Sequence, residues 1–139
     1  IAAWLGLCES ARAALLARSF AELMRFGLRM GARHETLIGL SGLGDLTLSA
    51  TSRTSRNFYF GWRLVTERAA AGKSPEAPLT EGAATARAIV ERARAEGAEL
   101  PIASTVDDIL SGRIDIQEAV DLLLSRPRRD EHEGSANKA

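Results

Sequence analysis

The feature that most constrains the fold of this chain is a long amphipathic stretch from Ala2 to Met30. Apolar residues recur there at spacings of three and four, the period of an α-helix rather than of a strand. They are Leu5, Cys8, Leu15, Leu16, Phe20, Leu23, Met24 and Gly27. Gly31 follows as a C-cap. Because the apolar face is wide, we expect one long central helix on which Cys8 is a buried small hydrophobe.

Further stretches have the same helical period, and none has a convincing strand pattern. Helices are predicted over residues 32–39, 55–71, 80–96, 105–110 and 116–124, with a turn-rich connector at 72–78. The glycine-rich stretch after Gly39 breaks the pattern, and Pro101 with Ile102 reads as an extended link. Ser104 with Asp107, and Asp115 with Glu118, have the spacing of capping boxes. The sequence therefore predicts an all-α domain of six or seven helices over residues 1–127, followed by a disordered tail, 128–139.

Composition excludes several classes of function. The 139 residues carry 18 basic and 18 acidic side chains, so no overall field attracts nucleic acid or anionic lipid. Cys8 is the only cysteine, which rules out an intramolecular disulfide and fits a reducing, cytoplasmic location. No apolar run approaches the roughly 20 residues that span a bilayer. His34 and His132 lie far apart, so we expect no metal site.

The stretch from Leu40 to Gly61 carries the chemistry. Gly42 and Gly44 let the backbone turn tightly or let a ligand approach closely, and Asp45 follows them directly. The third glycine and the preceding strand of a dinucleotide fingerprint are missing. Asp45 could simply cap the segment that follows it.

A second group of polar residues follows 10 positions after Asp45 in this stretch. Ser55, Arg56 and Asn57 open a predicted helix, where a hydroxyl cap and a guanidinium form an anion site. Arg56 could instead pair with a surface carboxylate. A carboxylate and an anion site this close in sequence suggest a phosphorylated polyol or sugar as ligand. Glu81 precedes another predicted helix. Its carboxylate could cap that helix or bind a ligand, and the sequence favours neither role over the other.

These motifs, taken in order, resemble bacterial NAD(P)-dependent glycerol-3-phosphate dehydrogenases. The resemblance rests on Gly39-Leu-Ser-Gly-Leu-Gly-Asp-Leu-Thr-Leu, Thr54-Ser-Arg-Asn, Leu79-Thr-Glu-Gly, Glu99-Leu-Pro-Ile and Ala119-Val-Asp-Leu-Leu-Leu-Ser-Arg-Pro. It implies a two-domain enzyme that interconverts sn-glycerol 3-phosphate and dihydroxyacetone phosphate for phospholipid synthesis. This chain would be its all-α substrate domain, similar to the C-terminal domain of 6-phosphogluconate dehydrogenase, and the N-terminal Rossmann domain is absent from it. A homodimer is compatible with this assignment.

The resemblance also implies roles for individual residues. Asp45 would bind the substrate hydroxyls and orient a catalytic lysine, which the family carries just before the position of Ile1. The substrate phosphate would be held by Ser55, Arg56 and Asn57. NAD or NADP, bound mainly by the absent domain, would be contacted by Arg56, Leu79 and Glu81. We therefore expect the 139-residue chain alone to be inactive.

The sequence departs from the family pattern at several positions. Ser10 stands where the family usually has Asn, Phe58 and Tyr59 replace two basic residues, and Leu79-Thr80 replaces Val-Val. Two alternatives stay open: a related two-domain dehydrogenase for another hydroxy acid or sugar phosphate, and a non-enzymatic helical dimerisation module. The choice between NAD and NADP lies outside this chain.

Overall fold

The described part of the chain is entirely helical. A computed structural model describes the backbone of residues 7–71 and 81–125, and the side chains of 7–67 and 85–125. Those residues form α1 (Glu9–Arg29), α2 (His34–Ile38), a π-helical segment (Leu40–Gly44), α3 (Asp45–Thr51), α4 (Arg56–Ala71), α5 (Glu81–Ala95), α6 (Pro101–Leu110) and α7 (Ile116–Ser125). The predicted all-α class with six or seven helices is confirmed. The predicted connector and tail lie outside the described residues.

The long helix α1 is the central element, as its wide apolar face predicts. It is about 32 Å long at 1.5 Å per residue, and it contacts α2, α3, α6 and α7. It ends as predicted at Gly31, whose φ of 85° allows the Ala32 N–H to donate to the Gly27 carbonyl at 2.8 Å. The start of α1 differs from the prediction, because Leu7 and Cys8 precede the helix. Cys8 is its exposed N-cap residue, so the prediction of a buried cysteine is wrong.

The core of the second half of the chain joins α4, α6 and α7. Leu64, Ile109, Ile116 and Ala119 are buried together, and Val65, Leu110 and Ile114 pack around them. Helix α7 begins as predicted, because Asp115 Oδ1 accepts the Glu118 N–H at 2.8 Å. Helix α5 packs mainly on α6, with Ala86, Val90 and Ala93 buried, and ends at Gly97 with a φ of 64°.

Helix α6 begins four residues earlier than predicted. Pro101 occupies the first turn, where the missing N–H of proline is tolerated, so the prediction of an extended link is wrong. Ser104 lies inside the helix and does not cap it. The first turn is capped by a residue from α1: the Glu22 carboxylate accepts the Ile102 N–H at 2.8 Å and the Ala103 N–H at 2.9 Å. Glu22 is buried, with 6% of its surface exposed.

Candidate functional site

The glycine-rich motif is helical rather than a break. Residues 40–44 form one π turn, in which the Gly44 N–H donates to the Gly39 carbonyl at 3.2 Å, and α3 continues directly from it. The expectation that the stretch after Gly39 interrupts the helical pattern is therefore wrong, and only Gly39 itself is extended, at the end of α2. A π turn is wider than an α turn and is uncommon, and sequence periodicity alone does not indicate it.

Gly42 is where the chain needs a glycine. A Cβ atom on Gly42 would lie 2.0 Å from the carbonyl oxygen of Leu37, which no side chain tolerates. Gly42 is buried, and Leu37 in turn packs against Gly27 of α1. The sequence left open whether these glycines allow a tight turn or a close approach. At Gly42 a close approach is observed, and the approaching group is the backbone of Leu37.

Asp45 is the first residue of α3, and its side chain is exposed. Its N–H donates to the carbonyls of Leu40 and Gly42, so the π turn fixes its backbone. The Thr47 hydroxyl donates to the Leu43 carbonyl at 2.7 Å, so this hydroxyl hydrogen is already bonded to the helix backbone. The Asp45 carboxylate thus projects from a well-ordered helix start, with no side-chain cap bond at the N-cap position.

The first turn of α4 forms as the sequence predicts. Ser55 Oγ accepts the Phe58 N–H at 3.4 Å, and the Tyr59 N–H donates to the Ser55 carbonyl at 2.9 Å. Arg56 and Asn57 follow in the first turn with exposed side chains. The N–H groups of a first turn point out from the helix end and carry its positive dipole. This turn therefore combines a hydroxyl, an amide and a guanidinium where an anion is favoured.

Asp45 and the first turn of α4 lie at opposite ends of α3. Seven residues of α-helix, Asp45–Thr51, span about 10 Å, and Ser52 to Ser55 lead from there into α4. Ser55, Arg56 and Asn57 therefore lie in one helix turn, and Asp45 is separated from them along the chain by the length of α3 and this loop.

A groove of about 740 Å³ opens beside this region, between α1, α3, α4, α6 and α7. Its floor is apolar and includes Leu16, Phe58, Ile109 and Val120. Polar side chains line it as well: Glu9, Arg12, Ser19, Ser49, Thr51, Arg53 and Asn57. Of the predicted site residues whose side chains the structure describes, Asn57 alone lines this groove, so it links the groove to the first turn of α4.

Two arginines at this groove are absent from the predicted site. Arg12 lies on α1 and Arg53 lies in the loop before α4. Arg53 directly precedes Thr54 and Ser55, so its position next to the motif could have indicated that it lies at the same site. Arg12 comes from a distant helix, and nothing local indicates that it lines the same groove.

Of the three predicted cofactor contacts, Arg56, Leu79 and Glu81, the structure describes only Arg56 with its side chain. Glu81 is the first residue of α5, a helix that packs mainly on α6. Its side chain and the whole of Leu79 lie outside the described residues. Their roles stay predictions.

Ser10 and Cys8 interact at the start of α1. Cys8 Sγ and Ser10 Oγ are 3.1 Å apart. This hydrogen bond, helped by the Ala11 N–H, lowers the pKa of the Cys8 thiol below its ordinary value. Ser10 is thus engaged with its neighbour, and both side chains are exposed.

Residues 7–71 and 81–125 contain no group of three or more His, Cys, Asp and Glu side chains suited to a metal ion. Within the same ranges, no helix is both long and apolar enough to cross a membrane.

Comparison with known proteins identifies the family. Residues 1–121 match the profile of the NAD-dependent glycerol-3-phosphate dehydrogenase C-terminus. The chain belongs to this family. A glycerol-3-phosphate dehydrogenase [NAD(P)+] of Afipia carboxidovorans is 50% identical over 131 residues, which cover 94% of this chain and 39% of that protein. One from Methylobacterium radiotolerans is 52% identical over 135 residues, with the same coverage of 94% and 39%.

A solved structure supports the fold. The crystal structure of glycerol-3-phosphate dehydrogenase from Coxiella burnetii superposes with a TM-score of 0.75 at 35% identity, and covers 90% of this chain and 39% of that one. The described helices therefore have the fold of part of that enzyme. It spans about two-fifths of the length of the relatives it matches.

Proposed function

We propose that this chain is the substrate-binding domain of an NAD(P)-dependent glycerol-3-phosphate dehydrogenase. The observation that carries the proposal is the first turn of α4, where Ser55 caps the helix and Arg56 and Asn57 are exposed beside it. Membership of the family and the names of its relatives support it. The reaction is the interconversion of sn-glycerol 3-phosphate and dihydroxyacetone phosphate.

The substrate phosphate binds at the first turn of α4. The Arg56 guanidinium offers paired N–H donors that match two phosphate oxygens, and the helix dipole adds to their attraction. The Asn57 amide donates to a third oxygen and faces the groove. Ser55 Oγ already accepts a hydrogen bond from the Phe58 N–H. The Ser55 hydroxyl can still donate its own hydrogen to a phosphate oxygen.

Asp45 binds the other end of the substrate. With the phosphate on α4, the hydroxyl-bearing carbons extend along α3 towards Asp45, which accepts their hydroxyl hydrogens. The lysine that the resemblance implies would exchange the proton on the C2 oxygen. It lies outside this chain, and Asp45 would orient it.

Among the described residues, Arg56 is suited to contact the cofactor. The Arg56 guanidinium fits the phosphates of NAD or NADP by charge and donor geometry. No dinucleotide cradle forms at Gly42 and Gly44, because the close approach at Gly42 is taken by the Leu37 backbone. When bound, the cofactor supplies the hydride, while Arg56, Leu79 and Glu81 contact it from this chain.

Kinetics of the complete gene product test this proposal. We expect NADH or NADPH oxidation that depends on dihydroxyacetone phosphate. Arg56→Ala should raise the KM for this substrate by about tenfold to a hundredfold, the equivalent of a lost charged hydrogen bond. Turnover of dihydroxyacetone, which lacks the phosphate, should be slow and insensitive to this substitution. Arg87→Ala removes an exposed arginine that pairs with Glu91 on α5, and serves as the matched control.

The two negative outcomes reject different parts of the proposal: the anion site or the dehydrogenase activity. Turnover that ignores Arg56→Ala keeps the enzyme and rejects the anion site on α4. Absence of turnover with either cofactor rejects the dehydrogenase in favour of a binding module. A homodimer and a cytoplasmic location belong to the same proposal, and sedimentation and cell fractionation test them.

A further inference from the structure

Two arginines from distant parts of the chain line the groove that Asn57 joins to α4. Arg12 lies on α1, and Arg53 lies in the loop before α4. Both side chains are exposed, whereas Leu15 and Ile109 on the floor of the groove are buried, so the two guanidinium groups lie at its mouth. The predicted anion site on α4 uses neither arginine. Positive charge at this groove is therefore not confined to that site.

The loop that carries Arg53 is folded into a tight turn. The Ser55 N–H donates to the Ser52 carbonyl at 3.1 Å, and the Thr54 N–H donates to Ser52 Oγ at 3.3 Å. The ends of such a four-residue turn lie within about 7 Å of each other. Arg53 is a central residue of this turn, and Ser55 at its end caps α4. The backbone of Arg53 is therefore held within roughly one Debye length of the anion site, about 8 Å at physiological ionic strength.

The charged side chains that line the groove leave its mouth with a net positive charge. Among the lining residues that the structure describes, Arg12 and Arg53 are the basic ones and Glu9 is the acidic one. Glu9 precedes Arg12 on α1, and Arg12 forms no ion pair with it or with any other acidic side chain that the structure describes. An anion at the mouth is therefore attracted by both guanidinium groups and repelled by a single carboxylate. Arg56, in the neighbouring turn, adds a further positive charge.

We propose that Arg12 and Arg53 are specificity-determining residues that select a ligand with a doubly charged phosphate over one with a carboxylate. A phosphate monoester carries nearly two negative charges at neutral pH, because its second pKa is about 6. The carboxylate of a hydroxy acid carries one. Since the Coulomb energy scales with the product of the charges, the same arginines attract the phosphate about twice as strongly. This inference rests on the anion site of the proposed function, and it decides between the substrate classes that the sequence left open.

Binding of inorganic phosphate tests the proposal without an activity assay. Phosphorus NMR titration of the complete gene product at low ionic strength gives the Kd for phosphate. Arg12→Gln and Arg53→Gln should each raise this Kd by about threefold, and the double variant by about tenfold, because each removes one attracting charge. Glu9→Gln should lower it by about twofold, because the repelling charge is lost. Arg92→Gln removes an exposed arginine that pairs with Glu96 at 2.8 Å on α5, and this matched control should leave the Kd unchanged.

A second anion and a conservative substitution separate charge from contact. Acetate carries one charge, so its Kd should rise by less than about twofold in Arg53→Gln. Arg53→Lys keeps the charge but loses the planar fork of donors, and it should bind phosphate within about twofold of the unaltered protein. These substitutions change exposed side chains, so the unfolding temperature should stay the same and exclude loss of binding by loss of folding.

Ionic strength completes the test. In about 1 M salt the Debye length falls to about 3 Å, so the effects of Arg12→Gln and Arg53→Gln should shrink below twofold. The effect of Arg56→Ala should persist, because Arg56 contacts the anion directly. An equal Kd for phosphate in the unaltered protein and the double variant at low salt would overturn the proposal. So would weaker phosphate binding by Glu9→Gln, or equal losses for acetate and phosphate. Weaker phosphate binding by the double variant, without turnover of dihydroxyacetone phosphate, would support this proposal and reject the dehydrogenase.

Discussion

Glu22 provides the most direct test of what holds this fold together. It lies in the middle of α1, and its carboxylate accepts the N–H groups of Ile102 and Ala103 at 2.8 and 2.9 Å. The N-cap residue of α6, Leu100, has no side-chain acceptor of its own. Glu22 therefore replaces the usual local cap with one that also joins two helices. Its negative charge at a helix N-terminus is favoured by the helix dipole.

The expected loss on substitution follows from these two bonds. A hydrogen bond to a charged group contributes about 1.5–3 kcal/mol to stability. Ile102 and Ala103 are half-buried, so water can partly replace the lost acceptor and the lower end of that range applies. For Glu22→Ala we expect a loss of about 3 kcal/mol in the free energy of unfolding, from two such bonds. Glu22→Gln keeps one acceptor but turns an N–H donor towards the second amide, and we expect about half that loss.

Urea denaturation of the chain measures both losses. With a slope near 1.5 kcal/mol per molar urea, a loss of 3 kcal/mol lowers the midpoint by about 2 M. Glu91→Ala removes an exposed glutamate that pairs with Arg87 at 3.0 Å, and should change stability by less than about 0.5 kcal/mol. Amide exchange gives a second readout, because the Ile102 and Ala103 amides should exchange fastest in Glu22→Ala. Equal midpoints for Glu22→Ala and Glu91→Ala would refute the reasoning.

Two further predictions concern single contacts. Gly42→Ala should destabilise the chain by about 3 kcal/mol, since its Cβ would force backbone apart, whereas Gly44→Ala should stay within about 1 kcal/mol because only a flexible side-chain tip must move. Urea denaturation checks this pair, and equal effects would contradict it. Ser10→Ala should raise the pKa of Cys8, because the Ser10 hydroxyl helps to lower it. Thiolate then forms at higher pH, so the iodoacetamide rate profile should shift upwards in pH, and an unmoved profile would exclude Ser10 as the cause.

Helix ends that depend on near neighbours were predictable from the sequence. Gly31 and Gly97 end helices with positive φ, and Asp115 and Ser55 accept N–H groups three residues away. In each case the residue type and its partner lie within one turn of chain. Local chemistry then determines the structure, and a pattern of a few residues contains the information.

The errors occurred where the partner is distant or the turn is unusual. Pro101 and Ser104 were misread because the cap of α6 lies 80 residues away in sequence, on α1. The sequence pattern of α1 does not single out Glu22, although it is buried. Gly42 was interpreted as a place for a tight turn or for the close approach of a ligand, because the π turn and the Leu37 carbonyl that require a glycine there have no periodic signal.

The candidate site shows the same division between local and distant information. The sequence predicts the anion site on α4, because Ser55, Arg56 and Asn57 are consecutive and open one helix. It places Asp45 close to them by residue number alone, and the structure inserts the length of α3 between the two groups. Helix α3 carries the exposed carboxylate of Asp45 at its first residue, and the anion site follows its last residue in the chain, with Leu48 exposed between them in sequence. Local sequence therefore predicts each half of the site, and only the fold decides whether one substrate reaches both halves.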